Sequence, residues 1–262
     1  MKVSFHNSIE EISKKSWDAL IGDLNYPFLR HDFLKTLEIT NCVGTNTGWI
    51  PIHITIERDE ELIAAMPLYL KSHSQGEFVF DHSWANAFYQ HGLDYYPKLV
   101  SSIPHTPASG PRFLLKDGEE KSVLFEKIKE GVKMISSKNN ISSWHILFPE
   151  KDEINFYENS QLSIRKNAQF IWFNKNYKNF ENYLENFRSR HRKNVLKERN
   201  KIEEQDLIIE TLSGEDLNYE IMNKFYKFYL STNIKRSGFS GYLTKQFSVS
   251  YTHLRAHETH PN

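Results

Sequence analysis

The sequence predicts an α+β protein with helices and strands mixed in both halves, and three observations carry that prediction. Helix-period and strand-period segments alternate along the chain instead of separating into blocks. The segment WIPIHITIER, starting at Trp49, alternates apolar and polar residues with period two, and ELIAAMPLYLK follows after the charged turn RDEE, which is the pattern of a β-hairpin. At 262 residues, with 39% hydrophobic and 25% charged side chains, the chain can fill two packed units.

The elements follow in order. Ser8 to Ile21 reads as a helix with Ser8 as cap and Glu11 three residues on, and His31 to Thr40 as a second, shorter one. Pro67 lacks a backbone donor, so it demotes its strand to an edge or marks a bulge. Glu119 to Lys138 is amphipathic through Val123, Leu124, Ile128, Val132 and Ile135, and SSWHILFP is a compact strand. A second unit starts near Ala168 with QFIWFN, then KNFENYLENF, the basic run RSRHRKNVLKERNKIEE, the short strand DLIIETL and the helix GEDLNYEIMNKFYKFYLSTN. The expected division is 1–165, 166–248 and a tail, 249–262. That tail, VSYTHLRAHETHPN, carries three of the 12 histidines without periodicity and reads as a translated sequencing adapter on a truncated frame. A metal site at His253, His257 and His260 therefore carries little weight, and no metal is expected.

Composition excludes several classes. The formal net charge is zero, so the molecule as a whole does not attract nucleic acid or an anionic membrane. Cys42 is the only cysteine, which rules out an internal disulfide and suits the cytoplasm. No apolar run is long enough to span a bilayer, so any membrane contact is peripheral.

The segments KSHSQGEFVFDHSWANAF and YYPKLVSSIPHTPASGPRF, within Lys71 to Phe113, crowd aromatic, ionisable, Gly and Pro residues together as a site would. His73, Glu77, Asp81 and His82 can transfer protons. On a strand, Glu77 and Asp81 share a face while Phe78 and Phe80 fill the core behind them. Two carboxylates in one cleft can have their pKa values driven apart, giving an acid and a base. The bland alternative is that each only accepts hydrogen bonds. Lys98 and Arg112 are cations beside rigid turns, and the Pro-rich loop around Thr106 either holds a substrate or merely crosses between strands. Candidate substrate contacts are His73, Trp84, Lys98, Thr106 and Arg112.

From Arg188 to Lys201 seven Lys or Arg stand against one Glu. On a helix, Arg190, Lys193, Lys197 and Lys201 form one positive flank, and Phe187, His191, Val195 and Ile202 form a stripe that docks on the domain. This flank is either a solvated surface or a contact for phosphates.

These blocks, KSHSQGEFVFDHSWANAF, YYPKLVSSIPHTPASGPRFL, SSWHILFP and RSRHRKNVLKERNKIE, occur in an order that closely resembles the FemAB-like proteins of the GNAT superfamily, from about Trp17 to Phe247. The resemblance implies bacterial peptidoglycan biosynthesis or recognition. It also implies two tandem acyl-CoA N-acyltransferase-like folds, each a mixed sheet flanked by helices on both faces, the second incomplete. The superfamily's Gly-rich pyrophosphate loop is missing, and its nearest approach, RSGFSG at Arg236 to Gly241, has the wrong spacing. The resemblance implies an acyl-CoA or an aminoacyl-tRNA as donor and a small-molecule or lipid-linked amine as acceptor, with tRNA as a partner if it supplies the group. The expected activity is N-acyl or aminoacyl transfer, with Glu77 or Asp81 as base and Tyr95 or Tyr96 as proton donor. Alternatives are a catalytically silent module that binds a cell-wall or lipid-linked precursor, or an inactive fragment.

Overall fold

The computed structural model describes residues 1–23, 26–168, 170–205 and 207–250. The last twelve residues, with His253, His257 and His260, lie outside the described residues. The chain divides into a larger unit, Met1–Ile164 together with the segment from Leu217 onward, and a smaller one, Arg165–Asp216.

The hairpin lies at the centre of the larger unit but is split between two sheets. In the first sheet, β1 (Lys2–His6), β3 (His53–Arg58), β4 (Glu61–Met66) and β7 (Leu114–Leu115) pair antiparallel in that order. In the second, β2 (Trp49–Pro51), β5 (Tyr69–Lys71), β6 (Lys98–Ser101) and β8 (Trp144–Ile146) are neighbours, with β6 and β8 parallel. Pro67 is neither at an edge nor in a bulge: it falls between β4 and β5, where the arm passes from one sheet to the other. Having no N–H, it ends the first ladder, and Ile52 N–H to Leu68 C=O at 2.9 Å bridges the gap. Asp59 and Glu60 close the hairpin at φ 51° and 65°, the left-handed geometry a two-residue turn requires.

Successive strand residues face opposite sides, so Ala65 and Val100 join one core cluster and Ala64 and Leu99 the other. Helices α1 (Lys14–Ile21) and α2 (His31–Ile39) cover the first through Trp17, Ile21, Leu34 and Leu37. Helices α4 (Lys121–Lys138) and α5 (Ile154–Asn159) cover the second through Phe125, Ile128, Val132 and Tyr157. Phe247 also enters the first cluster, against Phe33. This unit is a mixed α+β fold with helices on both faces.

Three local expectations change. The helix from Ser8 breaks at Ile12 because Ser13 caps α1 through Ser16 N–H, while Ser8 caps only a short 3-10 turn. Glu11 does not reach back to complete a capping box; Ser8 Oγ donates instead to Glu38 at 2.6 Å. Residues 77–81 form no strand, and α3 (His82–Gln90) follows directly.

The smaller unit contains α6 (Phe180–Leu184) and α7 (Ser189–Glu203), and no strand among the described residues. Residues 207–212, the described part of the expected strand DLIIETL, form no strand, nor do residues 170–174, and Phe170, Trp172, Phe173, Ile208 and Ile209 are exposed. A strand needs a neighbour for its N–H and C=O groups, and the described residues of this unit supply none. The stripe expected to dock α7 is not buried either, since no residue of that helix is. Only Leu184 is buried in α6, which leaves little apolar surface for such a stripe to cover. The remaining helix, α8 (Tyr219–Ser237), is capped by Asn218 and begins at Tyr219, five residues after the expected start at Gly214.

Candidate functional site

The site grows from the register of two strands. In the antiparallel pair β5–β6, Lys71 stands directly opposite Lys98, and both are fully buried. Like charges at such a position repel, and burying them without partners is costly. The irregular loop 72–81 supplies the partners. Lys98 Nζ donates to Glu77 Oε2 at 2.8 Å, Asp81 Oδ2 at 2.5 Å and Ser74 Oγ at 2.9 Å, so its three protons are all engaged. Lys71 Nζ lies 3.9 Å from the Trp49 ring centroid and donates to the Gln75 carbonyl at 3.2 Å.

Two phenols complete the cluster. Tyr95 donates to Asp81 Oδ2 at 2.8 Å; Tyr96 OH lies 2.7 Å from Ser74 Oγ, which donates to the same Asp81 oxygen at 2.9 Å. Gly76 is required for the close fit of the loop: at φ 78°, a Cβ there would stand 2.5 Å from His105 Nδ1. Glu77 Oε1 and Asp81 Oδ1 are buried without a hydrogen-bond partner among the described residues.

The two carboxylates titrate in opposite directions. Burial raises Glu77, against the pull of Lys98 and Lys71. Burial pushes Asp81 the same way, but hydrogen bonds from Lys98, Ser74 and Tyr95 together outweigh it and hold the group below its ordinary value. Burial lowers Lys71 to about 7, with Glu77 opposing and Lys98 adding to the shift. Tyr95 is raised by burial and then by its bond to Asp81. Such a cluster can hold one proton on a carboxyl group beside a fixed ion pair.

Glu77, Asp81, Tyr95 and Lys98 are thus brought together. The reason differs from the strand argument, because Phe78 is 47% exposed and Phe80 is 76% exposed while the carboxylates point inward. Lys71 and Lys98, buried opposite each other, would be left without counter-charge, and Glu77 and Asp81 turn inward to supply it. His73 is half-buried, with Nδ1 accepting from Gln75 N–H at 3.2 Å. Burial, then Lys71, lowers its pKa. Trp84 is 47% exposed on α3, and His82, two residues earlier at its first position, is exposed. Thr106 turns back onto the Pro104 carbonyl at 3.1 Å.

Arg112 is fully buried and braces backbone. Its guanidinium donates to the carbonyls of Leu147, Gly110, Pro111 and Ala108 at 2.8, 3.0, 3.2 and 2.5 Å, and burial lowers its pKa to about 10. Lys71 and Ser74 were absent from the sequence candidates. The period-two pattern of PLYLK, which puts Tyr69 and Lys71 on one face, was the signal for Lys71.

In the smaller unit, Arg190, Lys193, Lys197 and Lys201 are exposed along α7. Lys193, Lys197 and Lys201 line a groove of about 400 Å³ with Asn200. Arg192 instead folds back onto the Leu184 carbonyl at 3.1 Å, and Arg199 lies over Phe180 at 4.2 Å. The RSGFSG segment caps the C-terminal end of α8, with Gly238 left-handed at φ 70°, so it offers carbonyls where a phosphate needs N–H groups. Among the described residues no helix is long and apolar enough to cross a membrane, and no three His, Cys, Asp or Glu side chains converge as a metal site.

Known proteins place these features in a family. FemX is similar at 17% identity and a TM-score of 0.42, over 98% of this chain and 55% of FemX. The chain thus spans about half of that protein. The aminoglycoside 6'-N-acetyltransferase AAC(6')-IG of Acinetobacter haemolyticus is similar at 11% identity and a TM-score of 0.40, over 67% of this chain and 98% of its own. AAC(6')-Iy, in complex with CoA, is similar at 10% identity and a TM-score of 0.38, over 66% of this chain and 98% of its own. No curated protein matches the chain in sequence. Residues 8–259 match the FemAB-like family, described as peptidoglycan biosynthesis/recognition, and a match over nearly the whole sequence makes this chain a member of that family.

Proposed function

We propose that the protein is an N-acyl or aminoacyl transferase acting on an amine of a peptidoglycan precursor, with the Glu77–Asp81–Lys98 cluster as its proton-handling centre. The observation that carries this reading is the opposite displacement of two carboxylates bound to one buried lysine. Transfer to an amine needs a base that keeps the nucleophile neutral, and a carboxylate with a raised pKa is the better base near neutral pH. Glu77, with Oε1 unpartnered, takes that role. Asp81 stays ionised to hold Lys98 and Tyr95 in place, and Tyr95 remains a protonated phenol. Family membership supports the reaction class.

Glu77→Gln should cut turnover by at least about a hundredfold, the scale of lost general-base catalysis, with Asp81→Asn costing less. The assay is the mass gain of a precursor amine when an acyl-CoA or an aminoacyl-tRNA is supplied. Parent rates in both variants sink the assignment. The complete burial of the cluster favours a second reading, a silent module in which these charges only shape the fold. Saturable precursor binding without any mass gain selects it.

The donor in this proposal is phosphate-bearing and meets the exposed flank of α7. Replacing Arg190, Lys193, Lys197 and Lys201 with Gln should weaken tRNA binding and reduce the slope of log K against log salt by roughly three, on counterion-release grounds. Fluorescence anisotropy over a salt series measures it, and an unchanged slope makes the flank a solvated surface.

A further inference from the structure

The Glu77–Asp81–Lys98 cluster is closed as it stands. Glu77 is 2% exposed and Lys71 and Lys98 are fully buried, so an acceptor amine reaches Glu77 only if the loop 72–81 moves. Part of what holds that loop comes from the far end of the described chain.

Two residues of the region adopt a backbone conformation that bulky side chains avoid. Phe78, directly after Glu77, has φ 57°, and His105, whose Nδ1 a Cβ on Gly76 would crowd, has φ 58°. Such conformations persist only where surrounding contacts enforce them. One ring touches both residues. Tyr242 stacks on His105 with centroids 4.7 Å apart and planes 8° apart, and meets Phe78 in a T-shaped contact at 6.2 Å. Trp49 packs against His105 at 5.5 Å and donates to the Gln75 carbonyl at 3.0 Å, which ties the same rings to the loop a second time.

The segment that carries Tyr242 is anchored on one side only. After Tyr242, Thr244 N–H donates to Cys42 Sγ at 3.3 Å, Thr244 Oγ1 donates to the Thr40 carbonyl at 2.9 Å, and Phe247 enters the first core cluster. Before it, the chain from Gly238 to Gly241 is bounded by two glycines at φ 70° and 91°, and Phe239 is 41% exposed. Tyr242 N–H donates to the Tyr229 hydroxyl at 2.8 Å, so the ring can leave its seat while the backbone stays tied to α8.

We propose that Tyr242 is a latch on the site. Seated on His105 and Phe78, it keeps the loop 72–81 shut over Lys71 and Lys98; displaced by an incoming acceptor, it lets Phe78 relax and Glu77 turn outward. The purpose of the latch rests on the transferase reading, but its opening is measured without turnover.

Acetylation of the full chain by dilute acetic anhydride, resolved lysine by lysine with mass spectrometry, tests it. Lys71 and Lys98 react only through the open state, so their rates report its population. Tyr242→Ala should raise both rates at least about fivefold, the scale of two lost ring contacts, while Lys133, exposed on α4, keeps its parent rate. Tyr242→Phe, which retains the ring, should behave as the parent. Cys42, the sole cysteine, is 1% exposed and held by the anchored Thr244, so its reaction with Ellman's reagent should not change in Tyr242→Ala. Parent rates at Lys71 and Lys98 in Tyr242→Ala overturn the proposal. So does a matching rise at Cys42, which would mean that the whole segment has come away and not the ring alone. If both lysine rates rise as expected while the precursor assay shows no mass gain, the transferase reading fails and the latch stands.

Discussion

Lys98→Met is expected to lower the unfolding free energy by about 3–5 kcal/mol, the cost of removing one partner from a buried ion-pair network. The variant keeps an unbranched chain of similar length, so little packing is lost. What is lost is the ammonium hydrogen-bonded to both Glu77 and Asp81, each almost wholly buried. In the variant both carboxyls are driven to take up protons. A carboxyl whose folded pKa is raised stabilises the fold at low pH and loses that contribution as pH climbs through it. Urea unfolding of Lys98→Met should therefore show stability recovering as the solution is acidified. Adding Glu77→Gln and Asp81→Asn should restore at least half the loss at neutral pH, because no charge is then stranded. A loss below about 1 kcal/mol, the scale of an exposed pair, would mean that water reaches the cluster.

Arg112→Met should cost nearly as much for a different reason. No carboxylate lies within salt-bridge distance of this guanidinium among the described residues; it ties the loop 108–112 to Leu147, just beyond β8, through carbonyl oxygens. Each carbonyl left buried and unsatisfied costs about 1–3 kcal/mol, so a net loss of about 3–4 kcal/mol follows after partial rehydration. Arg112→Lys should recover only part of it, since an ammonium cannot reproduce the planar fork. Thermal and urea unfolding of both variants measures the effect. A variant that keeps parental stability but raises KM would return Arg112 to the role of a substrate clamp.

The two residues show where reading a sequence stops. Both were legible as cations beside rigid turns, and nothing in the turns distinguished a lysine that gathers carboxylates from an arginine that braces backbone. That difference depends on which acceptors the fold brings within about 3 Å, and those acceptors come from segments up to 35 positions away. Phe78 and Phe80 make the same point from the other side. Alternation put them in the core, but alternation holds only on a strand, and the chain here runs as a loop with Phe78 left-handed at φ 57°.

The sequence by itself determined the hairpin from Trp49 to Lys71, the helices from His31 and through Leu124–Val132, and the basic flank of α7. These are set by short-range periodicity and chain chemistry, which need no distant partner. Tertiary structure alone decided that Lys71 faces Lys98, that the hairpin splits at Pro67, and that two carboxylates rather than two phenylalanines turn inward. It also decided that residues 170–174 and 207–212 form no strand. Strand pairing and buried charge both depend on groups far apart in sequence, so neither can be settled by a local pattern.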